Sequence, residues 1–255
     1  MFIFEWIGKK ILNFLNNFGL ITRFFLTALK WLFRKPFRWK ILVEQMVKVG
    51  VETLPVALIT SGFTGMIFVV QLYLALKSFG LEAAVPAGLA LAVIRELAPV
   101  LAGLVMAGRV GAAMAAELGS MRVTSQIDAL KTMAVDPIHY LVTPRIFATV
   151  VMMTAITTIT DFTGIFGGYV VGTVAFDLNP YQFYQDVINI LEPWDIISSM
   201  IKGAVFGFFI STISCYMGFN SKGGAEGVGE ATTNAVVTSM IVLLIVDYLL
   251  NLILW

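Results

Sequence analysis

The chain has 255 residues, 58% of them hydrophobic and only 13% charged, and its mean hydropathy of +0.88 is far above that of an ordinary soluble domain. A net charge of +1 leaves no field that would gather nucleic acid. The single Cys215 excludes an intramolecular disulfide, and the single His139 argues against a histidine-based metal site. These limits point to an all-α integral membrane protein, to be read as apolar spans of ~20 residues.

The first 47 residues form a segment of their own. In EWIGKKILNFLNNFGLITRFFLTALKWLFRKPFRWK, Ile7, Ile11, Leu15 and Phe18 recur at helical spacing, while Lys9, Asn13, Asn16 and Asn17 lie off that stripe. The pattern predicts an amphipathic helix in the membrane interface, broken near residues 17–19, with a second short element starting at Pro36. A sixth crossing at 18–33 is the alternative, against which Arg23 and Lys30 weigh. The N-terminus lacks the order of a basic region, an apolar region and a small-residue cleavage site, so no cleavable signal peptide is expected.

Residues 48–255 are read as one five-span domain. The apolar runs are 53–76, 83–108 (broken only by Arg95 and Glu96), 146–176 with Asp161, 196–218 with Lys202, and 231–255 with Asp247. Fourteen Lys and Arg fall in 1–48, 109–145 and 219–230, and only Lys77 in the other connections. The positive-inside rule then places the N-terminus and these two connections in the cytoplasm and the C-terminus outside.

Between the second and third runs stands AGRVGAAMAAELGSMRVTSQIDALKTMAVDP, residues 107–137. Ser125 and Asp128 have capping-box spacing, and Ile127, Leu130 and Ala134 share a face up to the Asp136–Pro137 stop. A short amphipathic helix is expected at about 124–136, too short to cross. Its apolar face could rest on the membrane, on the rest of the protein or in a groove on a partner, and periodicity leaves all three open.

Ionisable residues inside spans are expensive and should face a partner or a wet cavity. At 1.5 Å per residue, Arg95, Lys202 and Asp247 fall about 12–16 Å from the outer ends of their spans. With Glu96 they make one candidate set, two charges of each sign. The set either supports a substrate cavity or is a group of paired charges that fix helix register. Asp161 has no basic neighbour at its level and is left unassigned.

Gly103, Ala107, Gly111 and Ala115, and likewise Gly164, Gly168 and Gly172, recur every four residues and predict close helix packing, within the chain or at a dimer seam. Val69, Leu72, Tyr73 and Leu76 form an apolar stripe that could meet the acyl chains of a substrate or bulk lipid. The glycine-rich GGAEGVGE at 223–230 is read as a tight turn between spans; it lacks the Lys-Ser/Thr end of a phosphate-binding P-loop. Nucleotide chemistry is therefore expected in another polypeptide, and the chain by itself is not read as an enzyme.

GRVGAAMAAELGSMRVTSQIDALKTMAVDP, preceded by RELAPVLAGLVMAG at 95–108 and followed by GGAEGVGEATTNAVV at 223–237, resembles the MlaE permease family, the membrane subunits of MCE-type lipid ABC transporters. The likeness runs from about Met46 to the C-terminus. It implies a permease subunit moving phospholipid between a bacterial inner membrane and a periplasmic MCE-domain protein. It also implies a homodimer, an N-terminal interfacial helix and five spans per chain, and a separate cytoplasmic ATPase that uses the ATP, so that no cofactor belongs to this chain. Whether a small regulatory protein also binds the ATPase stays open. Ser125, Gln126, Asp128, Leu130 and Lys131 would then form the coupling helix, braced by Glu117 and Arg122, and Arg95, Glu96, Lys202 and Asp247 would surround the lipid. The competing readings are a proton-coupled secondary transporter, in which Glu96, Asp161 and Asp247 carry protons, and a scaffold that only anchors partners.

Overall fold

Proline and glycine mark several of the helix ends. Pro180 and Pro193 stand in first turns, where a missing N–H costs nothing, while Pro55, Pro86 and Pro144 follow short π or 3-10 turns inside longer helices. Gly80 and Gly223 adopt positive φ where the chain leaves or enters a helix. The computed structural model describes residues 39–255 together with Gly19, Thr22, Phe24, Leu26, Thr27 and Lys30. The interfacial helix expected within 1–47 lies largely outside the described residues.

Among the residues described from 39 onward there are seven helices: α1 (Trp39–Lys77), α2 (Glu82–Val123), α3 (Gln126–Thr132), α4 (Ile138–Ala175), α5 (Pro180–Ile190), α6 (Pro193–Phe219) and α7 (Gly224–Leu254). Five of them, α1, α2, α4, α6 and α7, are long and apolar enough to cross a membrane. The chain is an all-α integral membrane protein, and no strand occurs among the described residues.

Several boundaries differ from the expectation. The polar stretch after residue 108 does not leave the helix: α2 continues to Val123, and only α3 stands apart. Ser125 does not cap α3 through its side chain. It takes a left-handed φ of 59°, its hydroxyl makes no cap bond, and the Asp128 carboxylate turns to Arg122 and Lys131 instead. Nor does the helix reach Ala134, which has a φ of 58°. GGAEGVGE is largely helix, since α7 starts at Gly224 and the reversal is made by 220–223.

Helix α5 was not foreseen. Asn179 caps it, accepting from Tyr181 and Gln182 N–H at 3.0 and 3.2 Å, and Phe183 anchors it by burial against Gly172. A true capping box opens α6, where the Glu192 and Asp195 side chains and backbones bond reciprocally.

The most extensive helix contact joins α1 to α4. A Cβ on Gly65 would fall inside the Gly164 carbonyl, and one on Gly167 would strike that of Gly62, so the two backbones touch. Ser61 Oγ also donates to the Thr160 carbonyl, at 2.7 Å. The expected small-residue faces are packing surfaces within the chain: Gly103 meets Leu243 and Phe206, Gly111 meets Ile210 and Ser214, and Gly168 meets Leu89 and Val69. By contrast α7 buries only a narrow stripe, Ala231, Ala235, Ser239, Leu243 and Asp247, and leaves Ile241, Leu244, Ile245, Tyr248 and Leu252 exposed.

Candidate transport site

Lys202, on α6, is completely buried, and the fold brings oxygen to it from two other helices. Its Nζ donates to the Arg95 carbonyl at 2.6 Å and to Glu96 Oε1 at 3.2 Å, both on α2, and forms an ion pair with Asp247 Oδ1 of α7 at 3.0 Å. The backbone acceptor has a local cause. Pro99, four residues beyond Arg95, has no N–H to give that carbonyl, and Val93–Leu97 forms a π-helical turn that displaces the ladder. An ammonium has three N–H donors and here meets three oxygens, so a buried charge that would otherwise be prohibitive is matched.

Three of the four expected members therefore meet around Lys202, but the Arg95 side chain leaves them. Its Nε donates to Asp195 Oδ1 at 2.8 Å, and its guanidinium lies 3.5 Å from the centre of the Trp255 ring. Asp195 is completely buried and holds its other oxygen on the Glu192 N–H at 2.9 Å. Asp195 escaped the sequence reading because it stands at a span end, where a carboxylate is unremarkable; the signal was the E-P-x-D capping pattern, 192–195. Glu96 is the member that faces outward, with its side chain 44% exposed against 1% for Lys202.

Asp161, on α4, stays separate. Ser199 Oγ donates to its Oδ2 at 2.8 Å, and no ion pair reaches it among the described residues.

At the end that carries α3, a second network joins the helices. Glu117 of α2 binds Lys48 of α1 at 3.1 Å and the buried Arg145 of α4 at 2.9 Å. Arg109 bonds Glu52 at 2.9 Å and Thr53 Oγ1 at 2.7 Å. Arg122 and Lys131 both hold Asp128, at 2.8 and 3.1 Å. Lys131 first and Arg122 second keep that carboxyl below the ordinary carboxylate range. Glu117 thus ties α1 to α4 instead of bracing α3 directly, whereas Arg122 does reach α3.

The apolar face of α3 rests on the protein itself, with Ile127 buried and Leu130 half-buried against the core. Gln126, Ala129, Lys131, Thr132 and Met133 are left facing out.

Comparison with known proteins settles the lineage. The family profile described as Permease MlaE matches residues 42–253. The chain belongs to the MlaE permease family. It is 43% identical over 245 residues to a probable ABC transporter permease protein of Rickettsia felis, covering 96% of this chain and 95% of that one. It is 44% identical over 209 residues to a probable ABC transporter permease protein of Synechocystis, covering 82% and 80%. Over 248 residues it is 33% identical to the intermembrane phospholipid transport system permease protein MlaE of Haemophilus influenzae, covering 96% and 94%.

Within this MlaE-family permease the stripe Val69, Leu72, Tyr73 and Leu76 is mostly internal. Val69 is completely buried beside Val85 and Leu89, and Tyr73 stacks on Phe176 at 4.1 Å. Val69 therefore meets protein in this conformation, packed by Val85 and Leu89 of α2 and by α4 at Gly168.

Proposed function

We propose that the chain is the membrane subunit of an ABC transporter that moves phospholipid between the inner membrane and a periplasmic MCE-domain protein. It works as a homodimer and is driven by a separate cytoplasmic ATPase. The observation that carries this reading is the Lys202 centre, which joins α6 to α2 and α7 and presents Glu96 outward. A lipid phosphate entering there cannot simply add to Lys202, whose donors are engaged. It must displace a carboxylate, and the exposed Glu96 is the one placed to leave. Lipid binding is then an exchange of anions on a buried ammonium, and it loosens the contact between α2 and α6.

The polar face of α3 receives the ATPase through Ser125, Gln126, Asp128 and Lys131, while Ile127 and Leu130 fasten the helix to the permease. Glu117, with Lys48 and Arg145, carries displacement from α2 to α1 and α4. The bare face of α7 supplies the dimer contact. On this reading α3 and the N-terminal segment are cytoplasmic and α5 lies on the periplasmic side, in agreement with the distribution of basic residues.

The test is ATP-dependent lipid transfer in proteoliposomes made from the complex purified through this chain. Glu96→Ala should abolish transfer while the complex still assembles, and normal transfer by that variant would remove the anion-exchange step. Transfer driven by a proton gradient without any ATPase would overturn the transporter class.

A further inference from the structure

A groove between α4, α5 and α6 belongs to neither network. Its volume is about 590 Å³, within the ~300–1,000 Å³ typical of small-ligand sites. Phe162, Phe166, Tyr169 and Tyr184 supply aromatic walls, with Ile188 and Ile196 beside them. Phe162 and Phe166 are 62% and 65% exposed, so the groove opens on the outer flank of the bundle. Burial of Phe183 against Gly172 fixes α5 above it, and Tyr184 and Ile188 form the rim.

Asp161 also lines this groove, and its residue is only 3% exposed. Oδ2 accepts from Ser199, but Oδ1 is buried without a partner. No cation is available to it among the described ion pairs, since Lys202 is held by Glu96 and Asp247, and Arg95 by Asp195. A buried polar atom left bare beside an apolar groove calls for a further group to complete it.

We propose that the groove binds a neutral glycerolipid with a free hydroxyl, of the diacylglycerol class, its hydroxyl on Asp161 Oδ1 and an acyl chain along the aromatic wall. A hydroxyl both donates and accepts, so it completes the carboxyl whether or not Asp161 carries a proton. An anionic phospholipid is disfavoured because its phosphate would stand beside a carboxyl with no cation to balance it. The site is independent of the Lys202 reading, which concerns a charged headgroup at Lys202 and Glu96.

The full chain, purified with the partners that hold it, is placed in vesicles of phosphatidylethanolamine and phosphatidylglycerol. A trace of diacylglycerol with a photoreactive acyl chain is added, and labelled peptides are mapped after illumination. Label is expected within 161–196, falling several-fold with excess unlabelled 1,2-dioleoylglycerol and in Asp161→Leu. Asp161→Asn, which still offers a donor and an acceptor, keeps most of it. Ile188→Trp narrows the exposed rim without entering the core and should also block labelling, so the test stands even if Asp161→Leu misfolds. Equal labelling of the same peptides by photoreactive phosphatidylglycerol would mean bulk lipid and would overturn the proposal. So would absence of label, insensitivity to both Asp161→Leu and Ile188→Trp, or a protein helix crosslinked there in place of lipid.

Discussion

The ion pairs of the Lys202 centre, at 3.0–3.2 Å, and those of the Asp128 clamp, at 2.8–3.1 Å, are similar in length, yet they are different kinds of interaction. Lys202 is buried among α2, α6 and α7, while Asp128 and both of its cations are open to solvent. Desolvation makes the first pair group costly to break and water makes the second cheap. The same geometry can therefore hold a bundle together in one place and orient a surface helix in another. Glu117 lies between the extremes, half-exposed itself but bound to the buried Arg145.

Predictions can be ranked along that gradient. Lys202→Met alone leaves Glu96 and Asp247 facing each other and should destabilise the protein most, by about 3–5 kcal/mol, seen as a lower midpoint of thermal unfolding in detergent. Adding Glu96→Gln and Asp247→Asn to Lys202→Met should restore most of that loss without restoring lipid transfer; a triple variant that transports normally would reduce the centre to a packing device. Glu117→Gln should cost about 1–3 kcal/mol, because it takes one charged partner from a buried guanidinium that keeps the Leu141 carbonyl. Asp128→Ala should leave the unfolding midpoint unchanged while weakening ATPase retention in co-purification. Unchanged retention would move the docking surface away from α3.

The smallest effect is that of pH on α3. Because the folded pKa of Asp128 is lowered, its contribution is complete above the unfolded value of about 3.9 and is lost as pH falls through the folded value. A spin label at Thr132 should therefore report the same mobility through the neutral range and greater mobility only in strong acid. A change near neutrality would point to a different anchor.

The five spans were legible because a bilayer demands long apolar runs, and Arg95, Glu96, Lys202 and Asp247 stood out against them. Depth counting brought the Lys202 partners together, since one rise per residue governs every helix. It could not show that Arg95 turns away, because that direction depends on Asp195 and Trp255, each at the end of an element. Nor could it show that Pro99 turns a backbone carbonyl into the third partner, although the four-residue interval is in the sequence. Helix α5 was passed over because eleven residues with Asp186 and Asn189 do not register as a span, even though Asn179–Pro180 is a strong start signal. At Ser125 the local capping pattern lost to the left-handed turn needed to reverse α2 into α3.

The glycines make the bundle mechanically unequal. Backbone meets backbone at Gly65 and Gly164, and a Cβ on Gly207 would press on the Thr149 carbonyl at 2.8 Å, so α1, α4 and α6 are stacked with almost no slack. Helix α7 is held to its neighbours through side chains such as Leu243, Met240 and Asp247, which can change rotamer without dragging a backbone. Helices α1, α4 and α6 thus form a frame, and α7 is the element with room to shift against it, joined to α6 by the Lys202–Asp247 ion pair.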